Sequence, residues 1–142
     1  MHRALAPRAL GLDLGTRRIG VAISSGTVAT PHTVLERAAD QAADHAAIAA
    51  LVDEVGAERV VVGLPLSLDG KMGPAARAAA DEAKALGDVL AVPVETYDER
   101  LTTVTADRSL SSLGLKGQAR RRAVDKVAAA VMLQAWLDRS RS

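Results

Sequence analysis

The chain has 142 residues, of which 49% are hydrophobic and 25% charged, and a formal net charge of +1, so we expect residues 1–142 to form one soluble domain. The absence of cysteine excludes disulfides and thiolate metal sites, and the three histidines lack zinc spacing, so a bound metal would have oxygen ligands, which favours Mg²⁺ or Mn²⁺. Because no apolar run reaches the roughly 20 residues of a membrane span and residues 1–8 lack a signal-peptide core, we expect a cytoplasmic protein with no membrane partner.

The N-terminal part of the chain predicts β-strands. Residues 8–15 and 19–24 form two apolar runs joined by the tight turn Gly15-Thr16-Arg17-Arg18, which predicts an antiparallel hairpin. Residues 27–29 predict a short third strand that ends before Pro31.

The remainder of the chain predicts alternating helices and strands. In chain order these are a helix over 40–55 closed by Gly56, a strand over 59–63, a helix over 74–86 that ends at Gly87, a strand over 89–96, and two helices over 101–113 and 118–139. The order indicates an α/β fold with a mixed five-stranded sheet, three antiparallel N-terminal strands plus two parallel ones, flanked by helices. In open sheets of this kind, ligands bind beyond the carboxyl ends of the strands.

Three carboxylates occupy positions where a charge is costly. Asp13 stands inside the first apolar strand, Glu99 follows a later apolar strand, and Asp125 lies on the apolar side of the last helix. Burying an unpaired carboxylate is expensive. Acids that converge from separate segments favour a hard divalent cation and metal-assisted hydrolysis of a phosphodiester.

Each acid also has an ordinary explanation. Asp13 would cap the turn that follows it, and Asp98 and Glu99 would form a strand exit or a helix N-cap. Asp125 would be a partly buried acid paired with one of the neighbouring bases, which are Arg121, Arg122 and Lys126. Strand alternation sends Asp98 and Glu99 to opposite faces, and alternation alone does not fix which of them turns inward. The three acids together favour a shared site.

Charge is unevenly distributed along the chain. Residues 36–58 have a net charge of −5 and residues 99–126 a net charge of +4, which is typical of a protein that touches a polyanion on one side. The alternative is two solvated helix faces. The candidate phosphate-binding residues are Arg17, Arg18, Lys71, Arg100, Lys116, Arg121 and Lys126. With no Phe, one Tyr and one Trp, the chain lacks rings for stacking bases, so we expect it to recognise backbone and helical shape.

Five ordered segments resemble the YqgF/RuvX family, which has a ribonuclease H-like fold. They are Gly11–Ala22, Val61–Gly70, Gly73–Ala76, Asp98–Thr103 and Val124–Ala129. The resemblance implies a metal-dependent nuclease whose metal-binding and catalytic acids are Asp13, Glu99 and Asp125, and it favours Glu99 over Asp98. Members of the family are described as nucleases that mature the 5′ end of pre-16S ribosomal RNA, and also as Holliday junction resolvases.

Four functions follow from these observations. The leading one is a nuclease dependent on Mg²⁺ or Mn²⁺ that acts on structured RNA, with pre-16S ribosomal RNA preferred. The second is cleavage of branched DNA at a four-way junction, which requires a homodimer rather than a monomer, with Met132 and Trp136 marking its surface if exposed. The third is an ATP-binding phosphotransferase, because residues 11–16 resemble the phosphate loop of actin, Hsp70 and sugar kinases, but those proteins need a second domain. The fourth is a non-catalytic RNA-binding or ribosome-associated factor, against which the intact set of acids argues.

Overall fold

A mixed sheet with helices on both faces makes up the computed structural model, which describes residues 8–67, 69–99 and 116–139. The elements are β1 (Ala9–Leu14), β2 (Arg18–Ser25), β3 (Val28–Glu36), α1 (Gln41–Val55), β4 (Arg59–Leu64), α2 (Pro74–Val89), β5 (Val94–Asp98) and α3 (Gly117–Asp138). The helix predicted over 101–113, and Arg100 before it, lie outside the described residues. None of the helices in the described ranges combines the length and the apolar character needed to cross a membrane.

The five strands are ordered β3-β2-β1-β4-β5. The pairs β1–β2 and β2–β3 are antiparallel, whereas β1–β4 and β4–β5 are parallel. The predicted sheet, with three antiparallel N-terminal strands and two parallel ones, is therefore confirmed. Strand β1 lies at its centre, so side chains of β1 are shielded by neighbours on both sides.

The two faces of the sheet are covered by different helices. Leu10 and Leu12 of β1 pack with Ile48 of α1 and Leu86 of α2 in one buried cluster. On the other face, a second cluster joins the sheet to α3 and includes Met132 and Trp136. Because both of these side chains are buried, at 0% and 5% exposure, they do not mark an exposed dimer surface.

Two glycines bring α3 against the central strands. A Cβ added to Gly11 of β1 would lie 2.9 Å from Cβ of Leu133, and one added to Gly20 of β2 would overlap the backbone oxygen of Asp125. Such contacts leave no room for a side chain. The N-terminal half of α3, which carries Asp125, is thus held close to β2.

Strand β3 is longer than predicted. Pro31 was expected to end it, yet β3 continues to Glu36. Pro31 pairs with Ala22 where the register between β2 and β3 shifts, and β3 is an edge strand. A proline is tolerated at such an irregularity on an edge, because a missing N–H there breaks few ladder bonds.

Helix α2 also extends beyond its predicted end. It passes through Gly87 to Val89, and the N–H of Leu90 donates to the oxygen of Leu86. Leu86 is fully buried, so its packing offsets the cost of a helical glycine, about 1 kcal/mol. Strand β5 accordingly begins at Val94 rather than at residue 89. At α1, by contrast, the predicted C-cap Gly56 is confirmed by its left-handed φ of 68°.

Candidate metal and nucleic-acid site

Asp13 lies on the α3 side of β1. It pairs with Gly20 across the β1–β2 ladder, and paired residues of antiparallel strands present their side chains to the same face. Since the Cβ position of Gly20 points at α3, Asp13 also faces α3. Burial raises the pKa of Asp13 to about 6, and the negative charge of Asp125 adds to this increase. Asp13 and Asp125 are therefore close enough to repel each other.

Glu99 is brought to the same face from the opposite side of β1. Its side chain lies over Gly63 of β4, where an added Cβ would overlap Oε2 of Glu99 and lie 3.2 Å from Cγ of Met132. Gly63 follows Val62, the partner of Leu12 in the β1–β4 ladder, so it stands beside Asp13. Burial raises the pKa of Glu99 to about 8, with further increases from the charges of Asp13 and Asp98.

Asp13 is thus flanked by two glycines, each of which makes room for another acid. Gly20 on one side lies under the backbone of Asp125, and Gly63 on the other lies under the carboxylate of Glu99. Both glycines were missed as functional residues in the sequence. The available signal was Gly63 itself, because a glycine inside the β-branched run 59–64 often marks a close approach of another group.

Asp125 is paired with an arginine of β2. Its Oδ2 accepts a hydrogen bond of 2.5 Å from Nε of Arg18, and this bond raises the pKa of Arg18. The paired base is therefore not Arg121, Arg122 or Lys126, the three neighbours considered above. Arg122 instead pairs with Glu36 at 3.2 Å.

The acids do not form a closed metal cage. Within the described ranges, no group of three or more acidic or histidine side chains is arranged to hold a metal ion as it stands. The donor set nevertheless fits a hard divalent cation, since it offers only carboxylate oxygens. The pKa values of Asp13 and Glu99 are raised partly by neighbouring negative charge, and a cation would relieve that repulsion.

An open cavity of about 420 Å³ adjoins Asp125 and is rich in arginine. It is lined by Arg18, Gly117, Arg120, Arg121, Val124 and Asp125. Two of the predicted phosphate-binding residues, Arg18 and Arg121, are therefore brought together beside an acid of the candidate site. Arg120 joins them there. Guanidinium groups suit phosphate because they donate several hydrogen bonds in a plane.

The other predicted basic residues are more dispersed. Arg17 is exposed in the turn between β1 and β2, Lys116 is exposed just before α3, and Lys126 is half-buried near the middle of α3. Lys71 lies in the loop after β4, with Nζ 3.9 Å from a carboxylate oxygen of Asp69. Arg100 lies outside the described residues.

Comparison with known proteins identifies relatives over nearly the whole chain. A family model described as RuvX, Holliday junction resolvase, matches residues 7–139. A protein of Chloroflexus aggregans, named "Putative pre-16S rRNA nuclease", is 47% identical over 140 residues, covering 94% of this chain and 94% of the relative. A protein of the same name from Mycobacterium sp. (strain KMS) is 45% identical over 138 residues, covering 95% of this chain and 82% of the relative.

A solved structure shares the architecture. The structure of T. thermophilus RuvC in complex with a Holliday junction substrate has a TM-score of 0.59 at 16% identity and covers 96% of this chain and 97% of that chain. At this identity the likeness concerns the fold alone. It confirms the expected ribonuclease H-like α/β fold.

Proposed function

Because this chain belongs to the RuvX family, we propose that it is a metal-dependent nuclease that hydrolyses phosphodiester bonds in structured nucleic acid. The observation that carries the proposal is the position of Asp13 between Glu99 and Asp125. The charge of Asp13 contributes to the raised pKa of Glu99, and the charge of Asp125 contributes to the raised pKa of Asp13. Acids drawn from β1, the end of β5 and α3 are the kind of ligand set that metal-assisted phosphoryl chemistry needs.

Asp13, Glu99 and Asp125 would hold Mg²⁺ or Mn²⁺ and are the proposed catalytic residues. When bound, such ions activate water and stabilise the leaving oxygen. Asp13 stands on β1 beside Gly63 of β4, and the carboxylate of Glu99 lies over Gly63, so these two acids would hold the cation together. Asp125 would complete the site and help to orient the attacking water.

Phosphate binding is assigned to the basic residues around this site. Arg18 holds Asp125 and lines the same cavity as Arg120 and Arg121, so it is placed to connect substrate binding with the position of an acid. Arg17, Lys71, Arg100, Lys116 and Lys126 remain proposed contacts to more distant phosphates. Because the chain has almost no aromatic residues, these contacts would recognise the backbone rather than stacked bases.

The preferred substrate is the 5′ end of pre-16S ribosomal RNA. Relatives that are 45% and 47% identical over most of this chain have names that refer to that RNA. The absence of cysteine is in keeping with a cytoplasmic location, where ribosomal RNA is processed.

Cleavage of a four-way DNA junction is the second candidate. It is favoured by the description of the matching family model. Resolution of a junction cuts two opposed strands, so this activity would require a homodimer, whereas RNA processing is open to a monomer.

A cleavage assay on both substrates tests these proposals. A precursor RNA fragment and a synthetic four-way junction would each be incubated with wild type and with Asp13→Asn, in Mg²⁺, in Mn²⁺ and in EDTA. We expect wild type to cut the RNA only with metal, and Asp13→Asn to be inactive. Equal cleavage by Asp13→Asn would overturn the site assignment, and binding without cleavage by wild type would favour a non-catalytic RNA-binding factor.

A further inference from the structure

A buried ionic network lies on the sheet face opposite to the three acids. The guanidinium of Arg37, which follows β3, donates from both terminal nitrogens to the carboxylate of Glu82 of α2, at 2.7 and 2.8 Å. One of these nitrogens also donates to Asp44 of α1 at 3.2 Å. His45 of α1 lies 2.9 Å from Oε2 of Glu82. Asp44, His45 and Glu82 are each 6% exposed.

Arg37 ties this network to the turn between β1 and β2. Its side-chain Nε donates to the backbone oxygen of Gly15 at 3.0 Å, and its backbone N–H donates to the oxygen of Arg17 at 2.9 Å. The N–H of Gly15 in turn donates to the oxygens of Asp13 and Arg18, at 3.1 and 3.0 Å. Arg37 therefore holds the turn at two points, one on each side of Thr16.

The turn held in this way connects two functional residues. Asp13 precedes it at the end of β1, and Arg18, which binds Asp125, follows it at the start of β2. We propose that Arg37 is a positioning residue that fixes the separation of Asp13 from the Arg18–Asp125 pair by clamping this turn. The proposal rests on the nuclease function proposed above, although the clamp itself is testable without substrate.

The contacts require an arginine and not merely any positively charged side chain. Nε faces the turn while both terminal nitrogens engage Glu82, and only a planar guanidinium offers donors in both directions at once. A lysine has one nitrogen and would have to give up either Glu82 or Gly15. Buried ion pairs are weak evidence for stability alone, because apolar residues often replace them without loss. In this protein, the ion pairs of Arg37 fix the orientation of its guanidinium group towards the β1–β2 turn.

Arg37→Lys tests the clamp, with Ile48→Val as the matched control. Ile48 is fully buried in the same layer, and its shortening perturbs packing without touching the turn. We expect Arg37→Lys to lower kcat by about tenfold or more with little change in KM, since small misplacements of reacting groups are costly. We also expect faster hydrogen exchange at the Gly15 amide and a displaced NMR signal of Arg18 Nε–H. Ile48→Val should change none of these.

The spectroscopic readouts separate the clamp from the function. If wild type cuts neither nucleic acid, the proposed nuclease function fails, whereas the Gly15 and Arg18 signals still decide whether Arg37 holds the turn. A folded Arg37→Lys protein with wild-type signals and wild-type kcat would overturn the proposal. If Arg37→Lys does not fold, Glu82→Gln replaces it as the test variant, because it keeps the shape of the acceptor but removes its charge. We expect Glu82→Gln to shift the Gly15 and Arg18 signals by a smaller amount. Unchanged signals in Glu82→Gln would equally overturn the proposal.

Discussion

Glu99 rests on Gly63 with no space for a further atom between them. A Cβ added to Gly63 would lie 2.9 Å from the carboxyl carbon of Glu99 and closer still to its Oε2. The position of Glu99 beside Asp13 therefore depends on residue 63 of β4 being a glycine, which has no side chain.

Gly63→Ala is expected to move Glu99 away from Asp13. The new methyl group occupies the position of the carboxylate, so we expect a loss of about a hundredfold in kcat/KM, the scale seen when a catalytic group is misplaced by about 1 Å. Steady-state cleavage kinetics measure it. Gly87→Ala is the matched control, since an added Cβ there makes only an ordinary contact, 4.0 Å from Cβ of Val94. Equal activity of the two variants would contradict the role of Gly63.

Gly20→Ala is expected to destabilise the fold by pushing α3 off β2. The added Cβ would overlap the backbone oxygen of Asp125 and lie 3.2 Å from the nitrogen of Lys126, and neither backbone atom has rotamer freedom to avoid it. Overpacking of this kind typically costs about 1–3 kcal/mol. Urea denaturation followed by circular dichroism measures the free energy of unfolding. A midpoint equal to that of wild type would show that α3 does not press on β2 as described.

Glu99→Gln is expected to stabilise the metal-free protein at high pH and not at low pH. The pKa of Glu99 is about 8 in the folded chain, against an ordinary value of 4.5, so the folded state holds the proton more tightly. Stability therefore falls as pH rises from about 4.5 to 8, by a contribution on the order of a few kcal/mol. Gln carries no charge and escapes this loss.

Thermal melts of wild type and Glu99→Gln in EDTA at several pH values measure that difference. We expect the gap in Tm to be largest near pH 8 and to close near pH 4. A gap that is the same at every pH would mean that burial does not raise the pKa of Glu99.

Divalent cations are expected to stabilise wild type but not Asp13→Asn. A ligand that binds only the folded state raises the free energy of unfolding in proportion to the logarithm of its concentration. Titrating Mn²⁺ at pH 8 and recording Tm measures the effect independently of any substrate. Asp53→Asn, a change at an exposed acid of α1, should respond as wild type does, and a wild-type response in Asp13→Asn would remove Asp13 from the metal ligands.

Local patterns explain which parts of the fold were predictable. The β1–β2 hairpin follows from two apolar runs and a tight turn, and the position of Asp13 inside β1 follows from the same runs. Pro31 and Gly87 locally favour breaks in β3 and α2, but the edge position of β3 and the burial of Leu86 override these preferences. Propensity alone does not contain such tertiary effects.

Sequence patterns do not predict the hydrogen-bond partners of the site residues. Arg18 and Asp125 are 107 positions apart, and only the packing of α3 on β2 brings them into contact. Proximity along the chain instead predicts that Asp125 pairs with Arg121, Arg122 or Lys126. The hydrogen bond from Arg37 to Gly15 spans 22 positions, and no helical or strand periodicity predicts it. Arg37 reaches the turn only because β3 extends to Glu36.

The proline within β3 has a consequence for how the protein behaves among other copies of itself. An outermost strand of nine residues presents a row of amides on which a second polypeptide can add, which is a common first step in aggregation. Pro31 withholds one of those amides, and the adjoining irregularity opposite Ala22 interrupts the regular spacing that an incoming strand would need. This border of the sheet is thereby protected against fibril-like growth.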